Sequence, residues 1–512
     1  MMNAASRLFS LTHVIVLNLI VMALIVMTSG CAVGPDYKRP ELTLPAAYPE
    51  ANRDSTSEAA EETIASDWWT LYGDTELDEL VSTALRNNSD LSRAVAQIDE
   101  AQAVLDQAGS FFYPQIDLGV SSSRSRSSTL NAQALPPGTP TISNANRLSL
   151  STAFELDFWG KLRRSTESAR AQLLATRYAR DVTALVLAAT TTQAYFTLRS
   201  LDAQLAATRA TLDSRIESLA LIQHRADSGL ASELEVNQAQ ASRASASLQM
   251  LELQRQRSLV EHRLGLLTGK LDLRVEAGDI MQLPTPALPP AGLPSTLLER
   301  RPDVQQAEQA LIAANARIGV AKAERLPSFS LTGEFGGSSE ELGDVLKSGG
   351  RIWSVGLTGL MPIFDAGKYA ARTRAAEAVQ RQALATYRKS VETAFSEVAD
   401  ALTNVAQSAA ATEDLKIKFT ATHNALHLSE VRYRAGYSDY LEVLAAQRSA
   451  NLAELDLVQN RQALLTYSVD LMKALGGGWT RDTVPAADAV GSKPDTTEPT
   501  GGQSAHTKLS DR

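Results

Sequence analysis

The sequence predicts a mainly α-helical chain that carries a membrane β-barrel segment and is internally duplicated. Three observations predict it. The chain repeats itself at long range, each copy holds a hairpin that is apolar on one face, and each copy holds a run of almost 70 residues without Pro or Gly. Together they give four β-strands and long antiparallel helices per chain, built by repetition rather than around a catalytic cleft.

The repeat is legible residue by residue. Gly229, Leu234, Glu235, Val236, Ala239 and Gln240 recur as Gly436, Leu441, Glu442, Val443, Ala446 and Gln447, each 207 positions later. Asp90, Ala94, Ala101, Pro114 and Leu118 recur as Asp303, Ala307, Ala314, Pro327 and Leu331, each 213 positions later. The first copy therefore has a longer loop between Pro114 and Gly160. The copies span residues 75–270 and 295–479, with a linker at 271–294 and a polar tail, expected to be disordered, at 480–512.

Residues 1–30 read as a secretion signal. Arg7 supplies the basic start, and the apolar run Val14–Met27, broken by Asn18, is short for a membrane span. It ends in Thr28-Ser29-Gly30-Cys31, which resembles a lipoprotein box that leaves Cys31 as first residue and lipid attachment point, although Thr28 departs from the usual Leu. Cys31 is the only cysteine of 512 residues, so no internal disulfide forms. Ala32 rather than Asp follows, resembling outer-membrane sorting. Residues 31–74 read as a lipidated, extended arm.

Composition excludes other classes. The net charge is −9 with no basic block, which argues against nucleic acid. No apolar run of 18 residues follows the signal, so a membrane crossing must use strands.

In the first copy Asp90–Ser110 reads as a helix opened by Ser89 and Asp90. A hairpin over about 113–159 follows. Ile116, Leu118 and Val120 alternate with Gln115, Asp117 and Ser121; Leu148, Leu150, Phe154, Leu156 and Phe158 alternate with Ser149, Ser151, Ala153, Glu155 and Asp157. Residues 122–145 between them read as exposed loop. The second hairpin, about 327–364, sets Phe329, Leu331, Phe335, Trp353, Val355, Leu357, Met361 and Ile363 against polar or small neighbours. A half-buried soluble hairpin alternates too, but about ten residues per strand is the length of a tilted membrane crossing. Four strands cannot close a barrel, whereas three chains supply twelve.

The helical hairpins occupy 161–267 and 367–475. Lys161–Asp227 and Lys368–Ala435 each reach roughly 100 Å at 1.5 Å per residue. Each turns at a glycine, Gly229 or Gly436, and returns through Leu230–Leu267 or Ser438–Leu475. The short helices Asp90–Ser110 and Asp303–Arg325, stacked on the returning helices, nearly match the long ones. Leu441, Leu444, Leu452, Leu455 and Val458 form a heptad-like seam.

Three passages resemble the outer membrane efflux protein (TolC-like) family, in its lipoprotein branch serving resistance-nodulation-division (RND) pumps. They are Cys31-Ala32-Val33-Gly34-Pro35-Asp36-Tyr37-Lys38-Arg39-Pro40, then Arg300-Arg301-Pro302-Asp303-Val304 with Ala307-Glu308, and Arg432-Tyr433-Arg434-Ala435-Gly436 running on to Ala446-Gln447-Arg448. The resemblance implies a homotrimer with a 12-stranded β-barrel in the outer membrane and a 12-helix α-barrel tunnel in the periplasm. It also implies partners: a periplasmic adaptor (membrane fusion) protein, an inner-membrane RND-type pump and outer membrane lipid. No cofactor, metal or enzymatic activity is expected.

The turns lie farthest from the strands, so the gate belongs there. Arg225, Asp227, Gly229, Tyr433, Gly436, Asp439, Leu441, Glu442 and Arg448 are the candidate gate and tip residues, with Glu235, Arg432 and Arg434 as further charges. The resemblance implies a ring at Leu441 and latches through Tyr433 and Arg448. Relatives often carry an acidic ring where this chain has Ala445. Either Asp439 or Glu442 replaces that charge, or the gate is less cation-selective.

Other features weigh less. His423 and His427 have zinc-compatible spacing, but no Glu follows His423 and no Cys can help. Gly265 and Gly269 sit at a helix end, and Trp68-Trp69 is expected to pack the arm against the tunnel. Alternatives are a type I protein secretion channel and a pore-less periplasmic coiled-coil scaffold.

Overall fold

The computed structural model describes residues 32–42, 45, 48, 66–128, 140–286 and 301–477. The secretion signal, Cys31 and the tail at 480–512 lie outside the described residues. In chain order the elements are α1 (Thr75–Asn87), α2 (Ser89–Ser110), β1 (Gln115–Arg126), β2 (Ile142–Leu156), α3 (Lys161–Asp227), α4 (Glu233–Thr268), α5 (Pro302–Ala323), β3 (Ser328–Ser339), β4 (Arg351–Leu360), α6 (Lys368–Arg434) and α7 (Tyr440–Ala474).

The two long helices are 67 residues each. They run the full height of a helical wall, about 100 Å. Beside the strands the packing order is α2, α3, α5, α6; toward the turns it is α4, α3, α7, α6. The short and returning helices therefore stack end to end. Two hydrogen bonds make the joints: Asn88 Nδ2 donates to the Leu267 carbonyl at 3.0 Å, and Arg301 Nη1 donates to the Ala474 carbonyl at 3.0 Å. These positions correspond under the repeat. Different side chains thus satisfy the same orphan carbonyls at a helix C-terminus.

Asn88, not Ser89 or Asp90, caps α2; its Oδ1 accepts from the Asp90 and Leu91 amides at 2.9 and 3.3 Å. The reason is local: Asn88 is the residue in extended conformation, so only its side chain reaches back to the first free amides. The joint region also holds the largest apolar core. Trp68, Trp69 and Tyr72 form a short helical turn packed with Tyr195, Phe196, Leu264, Leu465 and Met472. Charged groups staple the segment after α4 onto it. Asp202 accepts from Arg257 Nε at 2.6 Å and from the Gly278 amide at 3.1 Å, while Arg199 engages Glu76 and the Glu276 carbonyl.

The four strands form one antiparallel sheet in the order β1-β2-β3-β4. Residues 122–126 and 142–145, expected as loop, are strand: β1 pairs through Arg126 with Ile142. Ser, Arg and Asn leave no hydrophobic alternation there; the extension is held by ladder hydrogen bonds and by polar side-chain pairs, Ser125 with Ser143 at 3.2 Å and Ser122 Oγ donating to Asn146 Oδ1 at 2.6 Å. At the other edge β4 ends at Leu360, before Pro362, so Met361 and Ile363 fall outside the strand.

Candidate channel wall and tip

The sheet separates two surfaces. Leu118, Leu150, Phe335 and Trp353 align directly across all four strands. Ile116, Thr152, Gly333 and Val355 form the next row of that parity, and Phe154, Leu331 and Leu357 continue it. The opposite parity carries Asp117, Ser151, Glu334 and Ser354 in one row. Leu118 is 65% and Trp353 76% exposed. An apolar face this continuous on a single sheet needs an apolar solvent. The Arg147–Glu334 pair, 2.6 Å, lies on the polar side.

The arm lies against the wall just below the sheet. The Val33 amide donates to the Trp159 carbonyl at 2.9 Å, and Asn315 Nδ2 donates to the Pro35 carbonyl at 2.8 Å. Gly34 faces Gly319 so closely that a Cβ on Gly34 would stand 2.6 Å from the Gly319 Cα. Arg164 pairs with Asp36 at 2.5 Å, and Tyr37 and Arg39 both donate to Glu308.

The tip sits at the opposite end. Gly229 and Gly436 have φ of 74° and 81°, the left-handed region that favours glycine. Leu230 N donates to the Arg225 carbonyl and Tyr437 N to the Arg432 carbonyl, closing the same helix-ending motif twice. Ser232 and Glu235 form a reciprocal capping box that starts α4; Asp439 caps α7 by accepting from the Glu442 amide at 3.0 Å.

Ile222, Ala239, Tyr433, Tyr440, Val443 and Leu444 pack as a small apolar core among the four helix ends. The Arg225 guanidinium lies 4.9 Å from the Tyr433 ring centre, a cation–π contact. Arg432 reaches Glu442 at 3.5 Å. Burial, with Glu235 nearby, pushes the Tyr433 hydroxyl above its ordinary pKa; burial does the same to Tyr440. Neither hydroxyl finds a hydrogen-bond partner among the described residues, and neither does the amide of buried Gln447.

The structure thus brings Arg225 and Tyr433 together, and Glu442 with Arg432. Asp227 points to solvent. Leu441, 60% exposed, and Arg448 share one face of α7, away from that core. Tyr440 and Arg215 are not among the residues singled out from the sequence. Arg215 is a buried cation in α3 whose pKa burial lowers, with Tyr440, Glu430 and Arg448 nearby. One arginine among many on a long polar helix gives no sequence signal, whereas Tyr440 is readable as the first residue after a capping Asp. His423 Nε2 lies 3.9 Å from Glu454, and its Nδ1 meets the Phe419 carbonyl at 3.0 Å.

The family model for outer membrane efflux proteins matches residues 80–270 and 293–477. The chain belongs to the outer membrane efflux protein family. It is 34% identical over 472 residues to the toluene efflux pump outer membrane protein TtgF of Pseudomonas putida, covering 90% of this chain and 96% of that one. It is 34% identical to outer membrane protein OprJ of Pseudomonas aeruginosa, covering 89% and 95%. Among solved structures it resembles the outer-membrane channel OprN at a TM-score of 0.80 and 31% identity, covering 88% of this chain and 100% of that one. The Campylobacter jejuni CmeC channel gives a TM-score of 0.82 at 25% identity, covering 88% and 96%. This member of the family is an outer-membrane efflux channel: its strands cross the outer membrane and its helices extend into the periplasm.

Proposed function

We propose that three copies of the chain close into one duct, a twelve-stranded barrel above a twelve-helix tunnel, that opens at the glycine turns when an adaptor and an RND-type inner-membrane pump dock. The row Leu118–Leu150–Phe335–Trp353 carries this reading. It is a lipid-facing surface only four strands wide, and closed barrels need at least eight. Small organic molecules are the cargo class, since relatives serve pumps named for toluene and antibiotics. Cys31 carries the lipid anchor.

At rest Leu441 rings the lumen, and Tyr433 and Arg448 latch neighbouring helices. The support is a tip that buries the hydroxyls of Tyr433 and Tyr440 without partners among the described residues. Such groups cost about 1–3 kcal/mol each when unsatisfied, so a small rearrangement or a neighbouring copy that supplies acceptors shifts the tip between two states. Planar-bilayer conductance tests the gate. Wild type is expected to conduct weakly and the Arg448→Glu variant several-fold more. Equal conductance of the two overturns the latch, and a protein that never conducts overturns the duct.

A further inference from the structure

The apolar face of the sheet is not flat. Where Thr152 and Gly333 meet in register, small side chains leave a groove of about 520 Å³, rimmed by Ile116, Leu150, Phe335, Trp353 and Val355. Its lining is almost wholly apolar. Below it, toward the helices, Phe154 and Leu331 pair across the strands and Phe158 meets Phe329 edge-on at 5.3 Å. This apolar track ends at Trp159 and Gly160.

The arm arrives at that spot. Ala32 packs on Gly160 so tightly that a Cβ on Gly160 would stand 2.7 Å from the Ala32 Cβ. Val33 is bonded to the Trp159 carbonyl. Cys31 precedes Ala32 directly, so whatever its sulfur and amine carry is tethered within one residue of the foot of the track. Depth agrees. Thr152 stands four residues up the strand from Leu156, about 10 Å of depth at the usual strand tilt. With the turn at Asp157–Trp159 added, the groove lies on the order of 15 Å above Gly160. That is half of the ~30 Å hydrocarbon thickness, the depth an acyl chain reaches from its own leaflet.

We propose that an acyl chain attached to Cys31 lies along β2 and β3 and ends in the Thr152–Gly333 groove. The anchor is then a built part of the barrel surface rather than a free tether. A loose chain would gain only bilayer solvation; a seated one also orders the Gly333 dimple and holds the arm's first residues on Gly160. The inference rests on Cys31 being lipidated.

The test uses the full-length precursor expressed in a Gram-negative host fed a fatty acid with a diazirine near its methyl end and an alkyne for capture. After irradiation of the membranes, the N-terminal peptide is mapped for the label and for the peptides crosslinked to it. The expected result is labelled Cys31 with crosslinks concentrated in residues 148–156 and 329–335. Labelled Cys31 with crosslinks scattered over all strands overturns the groove while leaving lipidation intact. Crosslinks in the groove to phospholipid alone, without the Cys31 peptide, also overturn it. An unlabelled Cys31 overturns both readings. Val355→Trp, on an exposed rim position that tolerates bulk, is expected to cut those crosslinks several-fold; an unchanged pattern counts against the groove.

Discussion

Arg39 holds Glu308 through two parallel hydrogen bonds, from Nε at 2.7 Å and Nη2 at 2.6 Å, across 269 residues of sequence. Tyr37 donates to the same carboxylate at 2.9 Å. The arm passage and the mid-chain passage are therefore partners in space.

Removing one side of this clamp leaves Glu308, whose side chain is 6% exposed, with a single donor. Arg39 itself is partly solvated, so screening limits the loss; about 2 kcal/mol is expected for Arg39→Ala. Arg39→Lys keeps the charge but loses the planar fork and recovers only part of it. Thermal inactivation half-lives of the purified protein, with limited proteolysis of residues 32–42, are the measurement. Unchanged half-life and protection in Arg39→Ala refute the clamp.

Alkali loosens the arm. Burial pushes the Tyr48 hydroxyl up to about 12, and burial with Glu308 beside it raises Tyr37 further. A raised tyrosine pKa means the fold prefers the neutral phenol. The stabilisation is complete below pH 10, the unfolded value, and drains away as pH climbs toward 12. Protease protection of the arm is expected to fall over that window. Tyr48→Phe cannot ionise there, and the Tyr48 hydroxyl has no hydrogen bond to lose among the described residues, so this variant stays protected to higher pH.

In the proposed trimer the seam between copies runs along α4 and α6. Within one chain these helices edge the lower wall, and both expose apolar side chains: Leu234, Leu248 and Leu251 on α4, Ile417, Leu428 and Val431 on α6. Leu248 and Ile417 stand about 22 and 26 Å from the tip, at matching height. Leu248→Cys with Ile417→Cys and a short bismaleimide is expected to give covalent dimers and trimers on denaturing gels, and neither single variant does. Absence of ladders in the double variant contradicts this seam.

Gly436 and Gly367 test whether strain matters by position. Both have positive φ, 81° and 84°, and at neither would an added Cβ meet another atom within 4 Å. Alanine costs about 1 kcal/mol at either. Gly436→Ala acts on the tip and is expected to raise bilayer conductance; Gly367→Ala acts at the barrel end of α6 and leaves conductance unchanged. Equal effects contradict a gate at the tip.

Much of the fold was legible because it repeats. Period-2 alternation marked Leu118, Leu150, Phe335 and Trp353, and the absence of Pro and Gly marked both long helices. The strand extensions to Arg126 and from Ile142 were not legible, since ladder hydrogen bonds and polar side-chain pairs leave no hydrophobic alternation. At the tip the glycines and Tyr433 were readable, whereas Arg215 and the unsatisfied Gln447 emerge only when α3 and α7 are packed together.

The sequence by itself determined the duplication, the helix lengths, the turn glycines and the apolar face of the strands, because each follows from local conformation and periodicity. Tertiary structure alone decided what became of the twins. α3 and α6 have equal length and the same polarity, yet α3 buries 25 residues and α6 nine. The reason is place: α3 is flanked on both sides within the chain, while α6 stands at an edge with one face unpartnered, and no local pattern says which copy will occupy the edge.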